Sequence, residues 1–281
     1  MNYRHGYHAG NFCDVFKHVI LMRLIEHFKL KEKGFTVLDV HAGDGTYSLH
    51  GELASKTREA EEGILRALAV PKPSAMLAAY LNLVRRLGLP DATGKLTSYP
   101  GSPRLARALL RPQDKLLLSD IHKDALSSLR RLFKEDKQVR IQPQDATQTL
   151  KSNLPPESRR GLILLDPPFE APDEFRQLLT GLKEAYKRFP TGTYAIWYPL
   201  KSPEPVRHFH RQLAATGMKP VLTAEIQRAP LNNIHLNGCG MTIVNPPWKL
   251  DQELRELLPE LLAALGAEKT GETRLEWTVA E

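Results

Sequence analysis

A chain of 281 residues with 42% hydrophobic content can fill the core of one large domain, or of one domain with a sizeable insertion, which excludes global disorder. No apolar run approaches the length that spans a bilayer, and Met1-Asn2-Tyr3-Arg4-His5 lacks the apolar stretch of a signal peptide, so a cytoplasmic protein with no membrane contact is expected. The net charge of +7 favours a polyanion without matching the basic tails of dedicated nucleic-acid binders, and Cys13 and Cys239 lack the spacing of a disulfide framework or a structural zinc site.

Asp14 is expected to cap a first helix in which Phe16, Ile20, Leu24 and Phe28 recur every four residues as a buried stripe, ending near Lys33-Gly34. The apolar run 35–40 reads as a strand leading into His41-Ala42-Gly43-Asp44-Gly45-Thr46-Tyr47. There the glycines let backbone pass close to a ligand at the strand's carboxyl end, where open α/β sheets bind cofactors. Alone, Gly43-Asp44-Gly45 is a weak signal. Two helices, 58–68 and 74–87, separated by Pro71-Lys72-Pro73, then interrupt the alternation. Residues 52–98 are therefore read as a helical insertion in a main domain of 1–51 and 99–281.

Alternation resumes with a helix capped by Ser102 with Pro103 in its first turn, then strand 115–119 ending in Asp120, whose carboxylate suits ribose hydroxyls. A helix near 123–135, strand 139–142 closed by Asp145, a helix near 146–153 and strand 162–165 follow. Beyond these come helix 173–189, strand 193–198, helix 205–216, strands 221–227 and 241–244 as a hairpin, amphipathic helix 251–265 and edge strand 273–279. The sum is an α/β fold with a mostly parallel seven-stranded sheet whose last strand, 241–244, runs antiparallel, with 273–279 at its margin.

Strand 162–165 delivers Asp166-Pro167-Pro168-Phe169, residues that suit methyl transfer to a planar amino group. An exocyclic amine of adenine or cytosine is a poor nucleophile because its lone pair is delocalised into the ring. The Asp166 carboxylate and the Pro167 carbonyl can each accept one N–H bond and draw the nitrogen toward tetrahedral geometry. The prolines stiffen that carbonyl, and Phe169 can stack on a base swung out of its helix or loop. A strand ending in a Pro-Pro turn with a core aromatic explains the same residues equally well.

Asn245-Pro246-Pro247-Trp248 nearly repeats the motif, but the hairpin makes its strand antiparallel and turns its end away from the cofactor edge. Asp166 is therefore chosen and Trp248 is expected to anchor in the core or at the surface. The basic clusters at Arg130-Arg131, Lys134, Lys137 and Arg140, at Arg159-Arg160, and at Lys183, Lys187 and Arg188 read either as a phosphate-facing surface or as solvated helix faces.

Several segments taken together carry a family resemblance: Tyr3-Arg4-His5, His8-Ala9-Gly10-Asn11 with Asp14, Lys17 and His18, His41-Ala42-Gly43, Tyr99-Pro100-Gly101-Ser102-Pro103, Arg159-Arg160-Gly161 and the Asp166 motif. Over the whole chain the sequence resembles the J-type 23S ribosomal RNA adenine-N6 methyltransferase family. The resemblance implies a Rossmann-like methyltransferase fold with a small helical insertion. It implies S-adenosyl-L-methionine as methyl donor with no metal, and a monomer acting on an adenine of 23S rRNA, either protein-free or in an early assembly intermediate.

By matching positions it implies that Lys17, His18, His41, Gly43, Ser102, Asp120, Asp145, Ala146 and Asp166 line the cofactor pocket. Asp166, Pro167 and Phe169 would act on the amine, and Tyr3, His5 and Phe169 would face the RNA. Lys17 and the start of its helix supply positive charge for the methionine carboxylate, Asp120 suits the ribose and Asp145 the adenine amino group.

Without the resemblance, His18 and His41 read as hydrogen-bonded core histidines and Asp120 and Asp145 as turn residues or caps, while no carboxylate or cysteine completes a metal set with His5, His8 and His18. The family usually carries tyrosine at position 169 and glycine at 146. Phe169 keeps the stacking face and loses a hydroxyl, and Ala146 adds a methyl near the cofactor ring. Two rival readings stand beside the main one. The first is a DNA adenine-N6 methyltransferase, against which an insertion of only about fifty residues favours RNA recognised by shape. The second is a non-catalytic nucleic-acid-binding or uptake protein.

Overall fold

Helix α1 (Phe12–Lys29) is the structural spine of the molecule, seen here in a computed structural model that describes residues 5–232 and 234–280, the Ser55 side chain excepted. Its cap is Asn11, not Asp14: Asn11 has extended backbone and its side chain accepts from Asp14 N at 2.9 Å. This satisfies a first-turn N–H and frees the Asp14 carboxylate for other partners. The four-residue stripe understates the burial, because Cys13, Val15, Val19, Leu21 and Ile25 are buried as well. A helix apolar on all sides lies inside a domain. It stops at Lys29, short of Lys33, and leaves Leu30 exposed.

The chain continues through β1 (Thr36–Asp39), β2 (Thr46–Ser48), α2 (Glu52–Thr57), α3 (Glu59–Glu62), α4 (Ile64–Leu68), α5 (Ala75–Leu87), β3 (Ser98–Pro100), α6 (Ser102–Leu109) and β4 (Lys115–Ser119). Next come α7 (Lys123–Leu132), β5 (Val139–Gln142), α8 (Ala146–Asn153), β6 (Gly161–Leu165), α9 (Glu174–Arg188) and β7 (Thr193–Leu200). It closes with α10 (Pro203–Ala214), β8 (Val221–Gln227), β9 (Gly238–Val244), α11 (Leu250–Ala264) and β10 (Glu272–Val279).

The main sheet has the order β10-β8-β9-β7-β6-β1-β4-β5. The strands from β7 to β5 are mutually parallel, and β9 lies antiparallel between β7 and β8. The seven expected strands are present, and β10 adds an eighth at the edge, antiparallel to β8. β6 is apolar along its whole length, and β1 and β4 are apolar in their middles, because both faces are covered. Val37, Leu116, Leu162 and Leu164 join the core with α1 and α11, while Leu38, Leu117, Ile163 and Leu165 join the other with α8, α9 and α10. No helix among the described residues is long and apolar enough to cross a membrane.

The expected helix 58–68 is broken twice. Arg58 is left-handed (φ 55°), and at Gly63 the chain turns against Gly10, where a Cβ would sit 2.1 Å from the Gly10 carbonyl oxygen. Ile64 N donates to that same carbonyl at 2.8 Å, so close approach fixes glycine there. Ala60, Ile64, Ala67, Leu77 and Tyr80 then join the α1 core. An antiparallel ribbon of β2 with β3 is absent from the sequence reading, because three-residue strands carry no periodicity.

The antiparallel setting of β9 places Asn245 at the edge opposite Asp166. Its side-chain amide donates to the carbonyls of Pro190 and Gly192 at 2.8 and 2.7 Å, and Trp248 is a surface residue, 80% exposed.

Candidate active site

The carboxyl ends of β1, β4, β5 and β6 deliver Asp39, Asp120, Asp145 and Asp166 to one edge of the sheet, and α1 brings a single lysine to it. Lys17 Nζ lies 2.5 Å from Asp166 Oδ2 and 3.0 Å from Asp14 Oδ1, with the Trp197 ring 5.9 Å away. Asp14 also accepts from Gly10 N and from His5 Nε2, each at 2.9 Å. Burial opposes the charge on Asp14, but His5 and Lys17 outweigh it and hold the carboxyl well below the usual carboxylate range. The Lys17 contact takes Asp166 Oδ2 and leaves Oδ1 with no protein hydrogen bond among the described residues.

Behind this pair the polar groups are tightly partnered. Ser102 Oγ donates to Asp39 Oδ2 at 2.6 Å, so Ser102 does not cap α6; Gly101, with extended backbone, stands at that position. Burial lifts Asp39 to about 6, against the Ser102 hydrogen bond and with the Asp166 charge pushing the same way. His41 Nδ1 accepts from Asp166 N at 3.2 Å, which places the proton of the neutral ring on Nε2. Burial lowers its pKa while the Asp166 and Asp120 charges oppose the drop.

His18 lies deeper. Its Nδ1 is 2.6 Å from Tyr99 Oη, which meets Tyr80 Oη at 2.8 Å, and burial drives the imidazole down to about 3, so it is a neutral, hydrogen-bonded core ring.

Asp120 ties two loops together. Its Oδ2 accepts from Gly43 N at 2.9 Å and its Oδ1 from His122 N at 2.8 Å. Each oxygen keeps a lone pair for a hydroxyl, so the carboxylate is positioned and still able to accept. Gly43 has φ 62°, and a Cβ there would lie 2.3 Å from Tyr47 Oη, which itself accepts from Asp44 N at 3.0 Å. The turn thus requires glycine and stands beside a fixed carboxylate, which fits the ribose of a nucleoside cofactor. Asp145 is exposed and caps α8 by accepting from Gln148 N at 2.8 Å, with Ala146 half-buried beside it.

Phe169 follows Pro168 with left-handed backbone (φ 50°), an uncommon conformation for a bulky residue, and its half-buried ring lies 4.8 Å from Phe175 and 6.0 Å from Trp197. The ring is thus held by two aromatic neighbours and remains partly exposed. His5 sits edge-on to Tyr47 at 4.7 Å, and Tyr3 lies outside the described residues. Asp39, Tyr47, Tyr99 and Trp197 went unrecognised as site residues. Tyr47 and Tyr99 lie within the motif segments 41–47 and 99–103, and Asp39 carries a signal of its own as a lone carboxylate in the apolar run 35–40.

The family model described as "Ribosomal RNA large subunit methyltransferase D, RlmJ" matches residues 32–279. The chain is 42% identical over 282 residues to ribosomal RNA large subunit methyltransferase J of Escherichia coli (strain K12), with 100% of each covered. It is 40% identical over 283 residues, again with 100% of each covered, to the protein of that name in Haemophilus influenzae (strain ATCC 51907 / DSM 11121 / KW20 / Rd). A crystal structure from Legionella pneumophila str. Philadelphia 1 superposes with a TM-score of 0.86 at 31% identity, over 96% of this chain and 98% of that one. The chain belongs to the family of ribosomal RNA large subunit methyltransferase D, RlmJ.

Proposed function

We propose that this protein transfers a methyl group from S-adenosyl-L-methionine to N6 of an adenine in 23S rRNA, with Asp166 as hydrogen-bond and proton acceptor. The observation that carries the reading is the Asp166 carboxylate at the end of a central parallel strand, with one oxygen on Lys17 and the other without a protein hydrogen bond among the described residues. A carboxylate with a free oxygen can accept an amino N–H and then the proton released as N6 becomes alkylated. The Pro167 carbonyl accepts the second N–H, and Phe169 holds the ring in plane.

When bound, S-adenosyl-L-methionine supplies the electrophilic methyl group on a cationic sulfonium, a charge that suits an edge bearing Asp39, Asp120, Asp145 and Asp166. Lys17 holds the methionine carboxylate, Asp120 the ribose hydroxyls and Asp145 with Ala146 the adenine ring. His41, Ser102 and Gly43 set the wall between them, and His18 backs Lys17 from the core. Tyr3 and His5 face the RNA at the mouth of the site, and residues 52–98 act as a compact recognition insertion. The substrate is met in the cytoplasm, as protein-free or early-assembly 23S rRNA, by a monomer that needs no metal.

Transfer of labelled methyl to protein-free 23S rRNA tests the reading. Wild type is expected to transfer, and Asp166→Ala to lose transfer while still binding S-adenosyl-L-methionine. Preference for duplex DNA over rRNA would move the assignment to a DNA methyltransferase, and transfer to no nucleic acid would move it to a binding protein.

A further inference from the structure

A groove of about 480 Å³ lined by Leu200, Val206, Arg207, Glu225, Gln227 and Arg274 has no part in the chemistry above. Its floor is two cross-strand rungs spanning β7, β9, β8 and β10: Tyr198, Gly240, Glu225 and Arg274 in one, Leu200, Gly238, Gln227 and Glu272 in the next. The middle strand is glycine in both rungs. A Cβ at Gly240 would lie 2.3 Å from the Tyr198 ring, so glycine lets that ring cross the strand and donate from Oη to Glu225 Oε1 at 2.9 Å. The result is a trough with a nine-tenths buried carboxylate at its base, aimed by a tyrosine and flanked by Arg274 at 3.4 Å.

The trough shares the edge that carries Asp166, because β7 runs parallel to β6 and ends at Leu200. It is also continuous with the stacking platform. Phe169 contacts Phe175, Phe175 lies 6.3 Å from Tyr198, and Tyr198, Leu200 and Val206 form one small cluster against which Phe169, Phe175 and Leu231 pack. At the rim, Lys201 and Arg207 are exposed and make no ion pair among the described residues, and the Lys201 charge is felt at His8.

We propose that this groove is a second nucleotide subsite, taking the unpaired residue that adjoins the target adenine on the same strand; the proposal rests on the RNA methyltransferase reading. Arg207 and Lys201 meet the phosphates, while Glu225, Gln227 and Arg274 present acceptors and donors to a base edge. The volume is within the range of small-ligand sites, about 300–1,000 Å³. A base stacked in a duplex cannot present its edge to the floor of such a trough, so the subsite selects single-stranded context.

The test uses the full chain and 23S rRNA transcripts. Arg207→Glu is expected to raise KM for the transcript by about tenfold and to lower the slope of log affinity against log salt by about 0.7, the contribution of one single-strand phosphate contact. Turnover at saturating RNA and the Kd for S-adenosyl-L-methionine should hold, and Lys219→Glu, at the opposite edge of the sheet, should leave KM alone. Transcripts with each base placed on either side of the methylated adenine should reveal a preference in wild type at one flank, flattened by Gln227→Ala and by Glu225→Gln. Wild-type KM and salt slope in Arg207→Glu, with the flanking preference intact in the Gln227 variant, overturn the subsite while leaving the methyltransferase reading standing. A wild type that methylates no rRNA overturns both.

Discussion

Replacing Lys17 by methionine removes a charge from a site that holds two carboxylates around it. Lys17 is 6% exposed, with Asp14 at 3.0 Å (2% exposed) and Asp166 at 2.5 Å (17% exposed), so the substitution leaves a buried anion short of one partner. Breaking a buried pair from one side costs about 3–5 kcal/mol, far more than the pair contributes net, because the remaining charge is desolvated and unpaired. Asp14 keeps His5 and Gly10 N, and Asp166 has some access to solvent, so the lower part of that range, about 3 kcal/mol, is expected.

Urea unfolding at pH 7 measures it, and adding Asp14→Asn to Lys17→Met should return part of the loss, since the neutral amide no longer needs the ammonium. The sign with pH is fixed. The Asp14 carboxyl is depressed in the folded state, so its contribution is present above the ordinary carboxylate pKa and disappears as the pH falls through the folded value. The gap between Lys17→Met and wild type should therefore narrow in acid. A Lys17→Met protein within about 1 kcal/mol of wild type at pH 7, with no coupling to Asp14, would refute the reasoning.

Asp39 works in the opposite sense. Its folded pKa of about 6 lies above the unfolded value near 3.8, so its favourable contribution is complete below about 4 and lost as pH rises through 6. Asp39→Asn should accordingly gain up to about 2–3 kcal/mol over wild type at pH 8 and nothing at pH 4, and equal stability gaps at the two pH values would count against this. Phe169→Ala should lower kcat/KM for RNA by about tenfold to a hundredfold, the loss of one base stack, while Phe169→Tyr stays near wild type, and S-adenosyl-L-methionine affinity is unchanged in both. An unaltered Phe169→Ala would remove the ring from the substrate site.

The strands and their sense were largely legible, because apolar runs mark the strands and the crossover rule makes those joined by helices parallel, and that same logic separates Asp166 from Asn245; the spatial order of the sheet was not legible. The helical pattern over 74–87 also placed α5, where the structure adds Ser74 as the cap. What sequence could not supply depends on contacts far along the chain. Asn11 captured the cap because the helix begins before Asp14, a choice made by the burial of Phe12 and Cys13. Gly63 breaks a helical pattern because Gly10 passes against it. Tyr99 and Trp197 look like core aromatics until the fold brings them beside His18 and Lys17. The Gly238 and Gly240 pair reads as a weak strand, and only the register across β7, β9 and β8 shows a trough.

The most direct measurement is a map of N6-methyladenine in 23S rRNA incubated with S-adenosyl-L-methionine and either wild type or Asp166→Ala. The expected result is one modified adenine with wild type and none with the variant, although the variant still binds the methyl donor. Equal modification by both proteins would contradict the central role given to Asp166.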